Sequence, residues 1–322
     1  MKIRASVLSV LLLLVVFSLP AVAAPIVMRL AENQPDNNPV THADLYLAEL
    51  VKEATGGEVV IEVYSGAVLG QETESIQQTR AGIIEMARVN TVPLADFIKE
   101  LGVVTLPYVF VSPEHQYKVV SGEIGEEIAQ AFENVGLKLI CWFHAGSRNF
   151  YTVNKPIKSV ADVKGMKLRV QPSKISIKMV ELMGGVPTPM NYSDVYSALQ
   201  TGVIDGAEND YVSYYTSSHY EVAKHYTEDG HLAPPAVVIM NKDKFDALKP
   251  EYQKILLESG RKAMDFEFEK MIAFNNESKE KVVAAGCQVY TVDVVEFQKA
   301  VAPIYEDFPE FGEVLKRIRS LQ

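Results

Sequence analysis

Two arginines in this 322-residue chain stand where a charge needs a reason. Arg169 lies inside the short apolar segment Lys167–Val170, and Arg148 follows the strand-like run Leu137–Phe143 by way of His144-Ala145-Gly146-Ser147. Side chains alternate along a strand, so Leu168 and Val170 share one face while Lys167 and Arg169 point to the other. A guanidinium stays charged in a pocket and grips a carboxylate through two parallel hydrogen bonds. Other polar groups follow strand-like runs in the same way: Asn90 after residues 86–89, and Glu208, Asn209 and Asp210 after 203–207. Glu72 opens a helical stretch after the loop 66–71. Carboxamides both donate and accept, and a carboxylate accepts from hydroxyls or an amine. Ligands of open α/β sheets sit beyond the carboxyl ends of strands, which puts these groups on one rim. The chemistry they offer is recognition of a small hydroxylated acid. Tyr211, Tyr214 and Tyr215 can stack on a sugar ring, although each taken alone is better read as a core or surface tyrosine.

Charge narrows the partners. The chain has 31 basic and 41 acidic residues, a formal net charge of −10. Such a field opposes nucleic acid and anionic membranes, so an anionic ligand needs local cations. Enzyme signatures are missing: there is no G-x-S-x-G elbow, H-E-x-x-H helix, P-loop or Rossmann glycine pattern. Cys141 and His144 are near in sequence, but nothing marks them as a nucleophile pair. Asp205, Glu208 and Asp210 lack the spacing of a metal site, and no cofactor is called for. Cys141 and Cys287 read as separate buried thiols.

The N-terminus reads as an export signal. Lys2 and Arg4 precede an apolar run over 7–19, and Ala21-Val22-Ala23 follows as a cleavage pattern before Ala24. The run is short of the ~20 residues of a comfortable bilayer span. Roughly 300 residues then remain, enough for two lobes.

The elements that must position the rim residues alternate between strand and helix, which predicts an α/β fold. Strands are expected at 26–31, 59–64, 86–89, Leu137–Phe143, Lys167–Val170, 203–207 and 236–240. Helices are expected at 41–55, 72–81, 114–135, 173–183 and 194–201, with Ser193 or Asp194 as a cap. Residues 251–285 lack proline and keep helical character, giving either one helix of roughly 50 Å at 1.5 Å per residue or two broken near Gly260.

The sequence resembles the solute-binding subunits of TRAP transporters (tripartite ATP-independent periplasmic transporters, the DctP family). The resemblance covers essentially the whole mature chain. It is carried by Thr55-Gly56-Gly57, Leu69-Gly70-Gln71-Glu72 and Gly165-Met166-Lys167-Leu168-Arg169-Val170. The most specific stretch runs from Pro187-Thr188-Pro189-Met190 through Val195-Tyr196-Ser197-Ala198-Leu199-Gln200-Thr201-Gly202-Val203-Ile204-Asp205-Gly206-Ala207-Glu208-Asn209. The resemblance implies a two-lobed periplasmic-binding-protein fold with hinge strands and a long bracing helix. The expected division is a signal peptide at 1–23, lobe I at 24–145 with 236–250, lobe II at 146–235, and a bracing helix and C-terminal segment at 251–322.

For the site, the resemblance implies Arg169 as the main carboxylate-binding arginine and Arg148 as a second. It implies Asn209 and Glu72 as ligand contacts, with Asn90 and His42 as looser correspondences. Gln171-Pro172-Ser173, Ala207-Glu208-Asn209-Asp210 and His219-Tyr220-Glu221-Val222-Ala223 are similar to members that bind sugar acids, hexuronates especially. Those members often carry asparagine where this chain has Asp210, which adds an acceptor and a negative charge. The implied protein is a periplasmic monomer without catalytic activity that delivers glucuronate or galacturonate to membrane permease subunits. A dicarboxylate, keto acid or aldonate as ligand, and a role as a periplasmic sensor subunit, are the alternatives.

Overall fold

A computed structural model describes residues 24–322. The expected export signal, 1–23, lies outside the described residues. None of the described helices is long and apolar enough to cross a membrane.

The first sheet contains β1 (Ile26–Ala31), β2 (Val59–Tyr64), β3 (Met86–Asn90), β4 (Leu137–Phe143) and, from much later in the chain, β10 (Ala236–Asn241). Its order is β2-β1-β3-β10-β4, with β1 parallel to β2 and β3, and β10 antiparallel to both neighbours. The second sheet contains β5 (Arg148–Thr152), β6 (Lys167–Val170), β7 (Val186–Pro189), β8 (Gly206–Asn209), β9 (His225–Leu232) and β11 (Gln288–Thr291), in the order β11-β9-β5-β8-β6-β7. The chain crosses between the sheets at 144–147 and returns at 233–235. The C-terminal segment does more than touch the second lobe, because β11 extends that lobe's sheet by pairing parallel to β9.

Local sequence explains the helices that face the cleft. Asn38 caps Pro39–Ala54 by accepting from the Val40 amide, with Pro39 in the first turn. Val40, Ala43, Leu47 and Val51 then bury one face at helical spacing. Gly56 and Gly57, both at positive φ, turn the chain into β2. The expected helix over 114–135 is instead two, Pro113–Ser121 and Glu123–Glu133, because Gly122 adopts extended backbone between them. The expected strand at 203–207 forms later, as β8, after a turn at 201–205. The 3-10 helix Lys99–Thr105 occupies the apolar run before Pro107.

Pro250–Ala284 is one continuous helix of 35 residues. Gly260 does not break it. A Cβ there would stand 2.8 Å from the Ile140 carbonyl, so glycine lets the helix lie directly on β4. Further along, the helix packs on Tyr211–Thr216 of the second lobe. Met264 and Met271 belong to the large core, which runs from the first sheet to β6 and the helix Lys174–Leu182, and Val282 belongs to a smaller core with Tyr151, Tyr214 and Tyr226.

Candidate ligand-binding site

A narrow cleft lies between the lobes and opens to solvent. Arg169, Arg148, Asn209, Glu72, Asn90 and Asp210 all line it. Five of them come from β3, β6 and β8, the start of β5, and the residue just after β8, while Glu72 opens the helix Glu72–Arg80. His42 is the exception. It is exposed on the helix Pro39–Ala54 and is not part of the lining. The buried face of that helix is the one carrying Ala43, Asp44 and Leu47, which turns position 42 outward.

The lobes are closed on each other. Gln71 Nε2 donates to Ser193 Oγ at 2.9 Å, and Gln171 Nε2 donates to Glu72 Oε2 at 3.2 Å. Asn38 Nδ2 reaches Thr216 Oγ1 at 3.4 Å.

Arg169 is buried, and among the described residues its guanidinium makes only backbone hydrogen bonds: Nε and Nη2 donate to the Met190 carbonyl at 3.2 and 2.9 Å. Its cation lies 5.7 Å from the Tyr192 ring centre. No carboxylate is within ion-pair distance among the described residues. Burial, opposed by the more distant Glu208, lowers the basicity of this guanidinium. A buried cation without a counter-ion is costly, and a ligand anion removes that cost.

Arg148 is arranged differently. Its Nε and Nη2 form a two-point pair with the Glu208 carboxylate, Nη2 also donates to the Glu208 carbonyl, and Nη1 donates to Asn209 Oδ1 at 2.8 Å. Behind Glu208 stands His231, with Nε2 3.5 Å from Glu208 Oε2 and Nδ1 2.7 Å from Asp229 Oδ2. Burial works against the ionised form of Glu208, but Arg148 and His231 outweigh it and hold the carboxyl at about 2. Burial likewise works against the imidazolium, and Asp229 and Glu208 raise His231 to about 9.

The carboxamides are fixed through their oxygens. Asn90 Oδ1 caps Thr91–Leu94 by accepting from the Val92 amide, and Asn209 Oδ1 accepts from Arg148 and from the Asp210 amide. Their Nδ2 groups therefore remain to donate into the cavity. Glu72 Oε1 accepts from the Asn90 amide at 2.7 Å. Asp210 caps Tyr211–Thr216, its Oδ1 accepting from the Ser213 amide at 2.9 Å. Gly146 is required beside it, since a Cβ there would come within 2.5 Å of the Asp210 Cβ. Asp205 turns away from this group and accepts from the Lys167 amide at 2.8 Å.

Sequence reasoning passed over Arg88. It lies on β3 two residues before Asn90, hence on the same face, and it lines the cavity. Its Nε and Nη2 pair with Glu32, Nη2 also donates to Asn33 Oδ1 at 2.8 Å, and Nη1 stands 3.9 Å from Glu72 Oε1. The signal was the one that flagged Arg169, a cation inside a short apolar strand. Asp44 lies buried behind this pair with neither oxygen accepting a hydrogen bond, and burial together with Glu32 pushes its carboxyl well up. Tyr192 lines the cavity, whereas Tyr211 stacks on Tyr226 at 4.0 Å and Tyr214 is fully buried in the smaller core. Cys141 and Cys287 are both buried free thiols.

Residues 30–310 match the family described as bacterial extracellular solute-binding protein, family 7 (DctP). A solute-binding protein of Chromohalobacter salexigens is 36% identical over 280 residues, covering 85% of this chain and 83% of the relative. A TRAP periplasmic solute-binding protein from Pseudomonas putida F1, solved with bound D-glucuronate, superposes with a TM-score of 0.90 at 35% identity, over 92% of this chain and 98% of that one. Another from Xanthobacter autotrophicus Py2, solved with bound β-D-galacturonate, gives 0.90 at 34% identity, over 92% and 100%. These are binding proteins rather than enzymes, and the fold, the match along the chain and the interlobe cavity lead to one conclusion: this chain belongs to the DctP family of TRAP transporter solute-binding proteins.

Proposed function

We propose that this protein is exported to the periplasm, captures a hexuronate between its lobes as a monomer, and delivers it to the membrane permease subunits of a TRAP transporter. The single observation that carries the ligand class is Arg169, a buried guanidinium that has three N–H groups left over and no carboxylate partner among the described residues. In this reading the ligand carboxylate takes two parallel hydrogen bonds from Arg169. Asn90 and Asn209 donate to ring hydroxyls, and Glu72 accepts from one. Tyr192, beside Arg169, covers a face of the sugar. Glucuronate and galacturonate bound to the similar solved proteins support the choice among sugar acids.

Closure works as a population shift. The interlobe hydrogen bonds at Gln71, Gln171 and Asn38 are uncharged or single and contribute modestly. A ligand that touches β3 on one side and β6 and β8 on the other adds contacts present only in the closed state. The chain crossings at 144–147 and 233–235 are the hinges of this motion.

The test is a thermal-shift screen over uronates, aldonates, dicarboxylates and keto acids, followed by calorimetry on the hits. A ligand at 100 times its Kd stabilises the folded state by ~2.7 kcal/mol. Glucuronate or galacturonate should give the largest shift. A response to dicarboxylates with none to either uronate would overturn the assignment.

A further inference from the structure

We propose that the site accepts one negative charge and no more, so that it separates a hexuronate from the hexarate (the C6 dicarboxylate) of the same configuration through carboxylates of its own. This deepens the hexuronate reading and rests on it. Three guanidiniums line the cavity, and they are not equivalent. Glu32 neutralises Arg88 and Glu208 neutralises Arg148, each through two hydrogen bonds, and both pairs are almost wholly buried. Of the three, Arg169 alone lacks a carboxylate partner among the described residues. Glu72 adds a further carboxylate to the lining, close enough to share Arg88.

A first carboxylate on the ligand therefore meets an uncompensated cation. A second, at the other end of a six-carbon acid, meets cations that already hold carboxylates, with Glu72 in the same wall. It loses its hydration and gains no new counter-ion, which makes the second charge unfavourable in a buried site. A hydroxyl or ring oxygen in that place has no such difficulty. Either accepts from the spare N–H groups of Arg88 Nη1 or Arg148 Nη1, and a hydroxyl can also donate to Glu72. Arg88 and Arg148 thus act as neutralised donors that read hydroxyls, and Glu32, Glu208 and Glu72 set the charge the site tolerates.

Calorimetry with D-glucuronate and D-glucarate at pH 7, on the wild type and on Glu72→Gln, tests this. Glutamine keeps the acceptor for the Asn90 amide but removes the charge, and a melting curve confirms that the variant is folded. Wild type should bind glucarate at least ~10-fold more weakly than glucuronate, since like charges a few ångströms apart in a poorly solvated site repel by that much or more. In Glu72→Gln the gap should narrow by ~5-fold or more, even as both ligands lose the Glu72 hydrogen bond. Wild-type affinities within 3-fold of each other, or an unchanged ratio in the variant, would overturn the charge limit while leaving the hexuronate reading intact. Absence of glucuronate binding together with strong glucarate binding would overturn both.

Discussion

Arg169 donates twice to the carbonyl of Met190 and, among the described residues, to no side chain, so a main-chain oxygen aims a guanidinium whose charge is left for something else. The partner it lacks separates function from stability at this position. Arg169→Ala should weaken uronate binding by roughly 30-fold to several thousand-fold, the range for deleting one side of a buried charge pair at ~2–5 kcal/mol. The unliganded variant should melt at the wild-type temperature or above it, because a buried unpaired cation has been removed. Titration calorimetry and a ligand-free melt check the two halves. A marked loss of apo stability would make Arg169 a structural residue.

Arg148 should behave in the opposite way. Its removal strands Glu208 in the interior, and breaking one side of a buried pair costs ~3–5 kcal/mol. Arg148→Met is therefore expected to lower the urea midpoint of the ligand-free protein strongly. Adding Glu208→Gln should recover at least half of that loss, which a double-mutant cycle reads directly. Simple additivity of the two losses would show that the pair is not the unit described.

The histidines give stability a definite pH shape. His231 is raised from 6.5 to about 9, so its contribution is full below pH 6.5 and disappears as pH climbs through 9. His144 and His219 are lowered by burial, to about 4 and about 3, so the folded protein refuses protons that the unfolded chain accepts. Their contribution is present above pH 6.5 and shrinks as pH falls toward those values. The histidine contribution to ligand-free stability should peak near pH 6.5 and decline on both sides, with the raised Asp44 carboxyl working against the decline on the acid side. His231→Gln should flatten the alkaline limb and spare the acid limb. A wild-type melting temperature that rises steadily from pH 6.5 to 9 would contradict this arrangement.

Much of the site was legible because a cation in a short apolar strand is hard to explain otherwise, and Arg169 met that description. Arg88 met it equally well in Met-Ala-Arg-Val-Asn, at the same third position of its strand as Arg169, and the signal went unused there. β9 was not legible at all. Its sequence, HYTEDGHL, carries Asp229 and His231 into the interior, where they support Glu208. A strand whose buried positions are charged has no apolar alternation to detect. Gly260 gave an ambiguous signal, since helix interruption and close packing both call for a residue without a side chain, and only the approach of Ile140 distinguishes them. His42, four residues past an N-cap, depended on helix phase to one residue, and the phase turned it to solvent.

The helix Pro250–Ala284 has one further consequence, which is mechanical. It is a single rod with Met264 embedded in one core and Val282 in the other. A rod keeps its length, so the separation of its two anchorages is constant while the lobes move. Opening then works like a calliper on a fixed pivot: the jaws change angle, and the span between anchorages does not. Two labels set along the rod should hold their spacing through a binding event, and two set across the jaws should not.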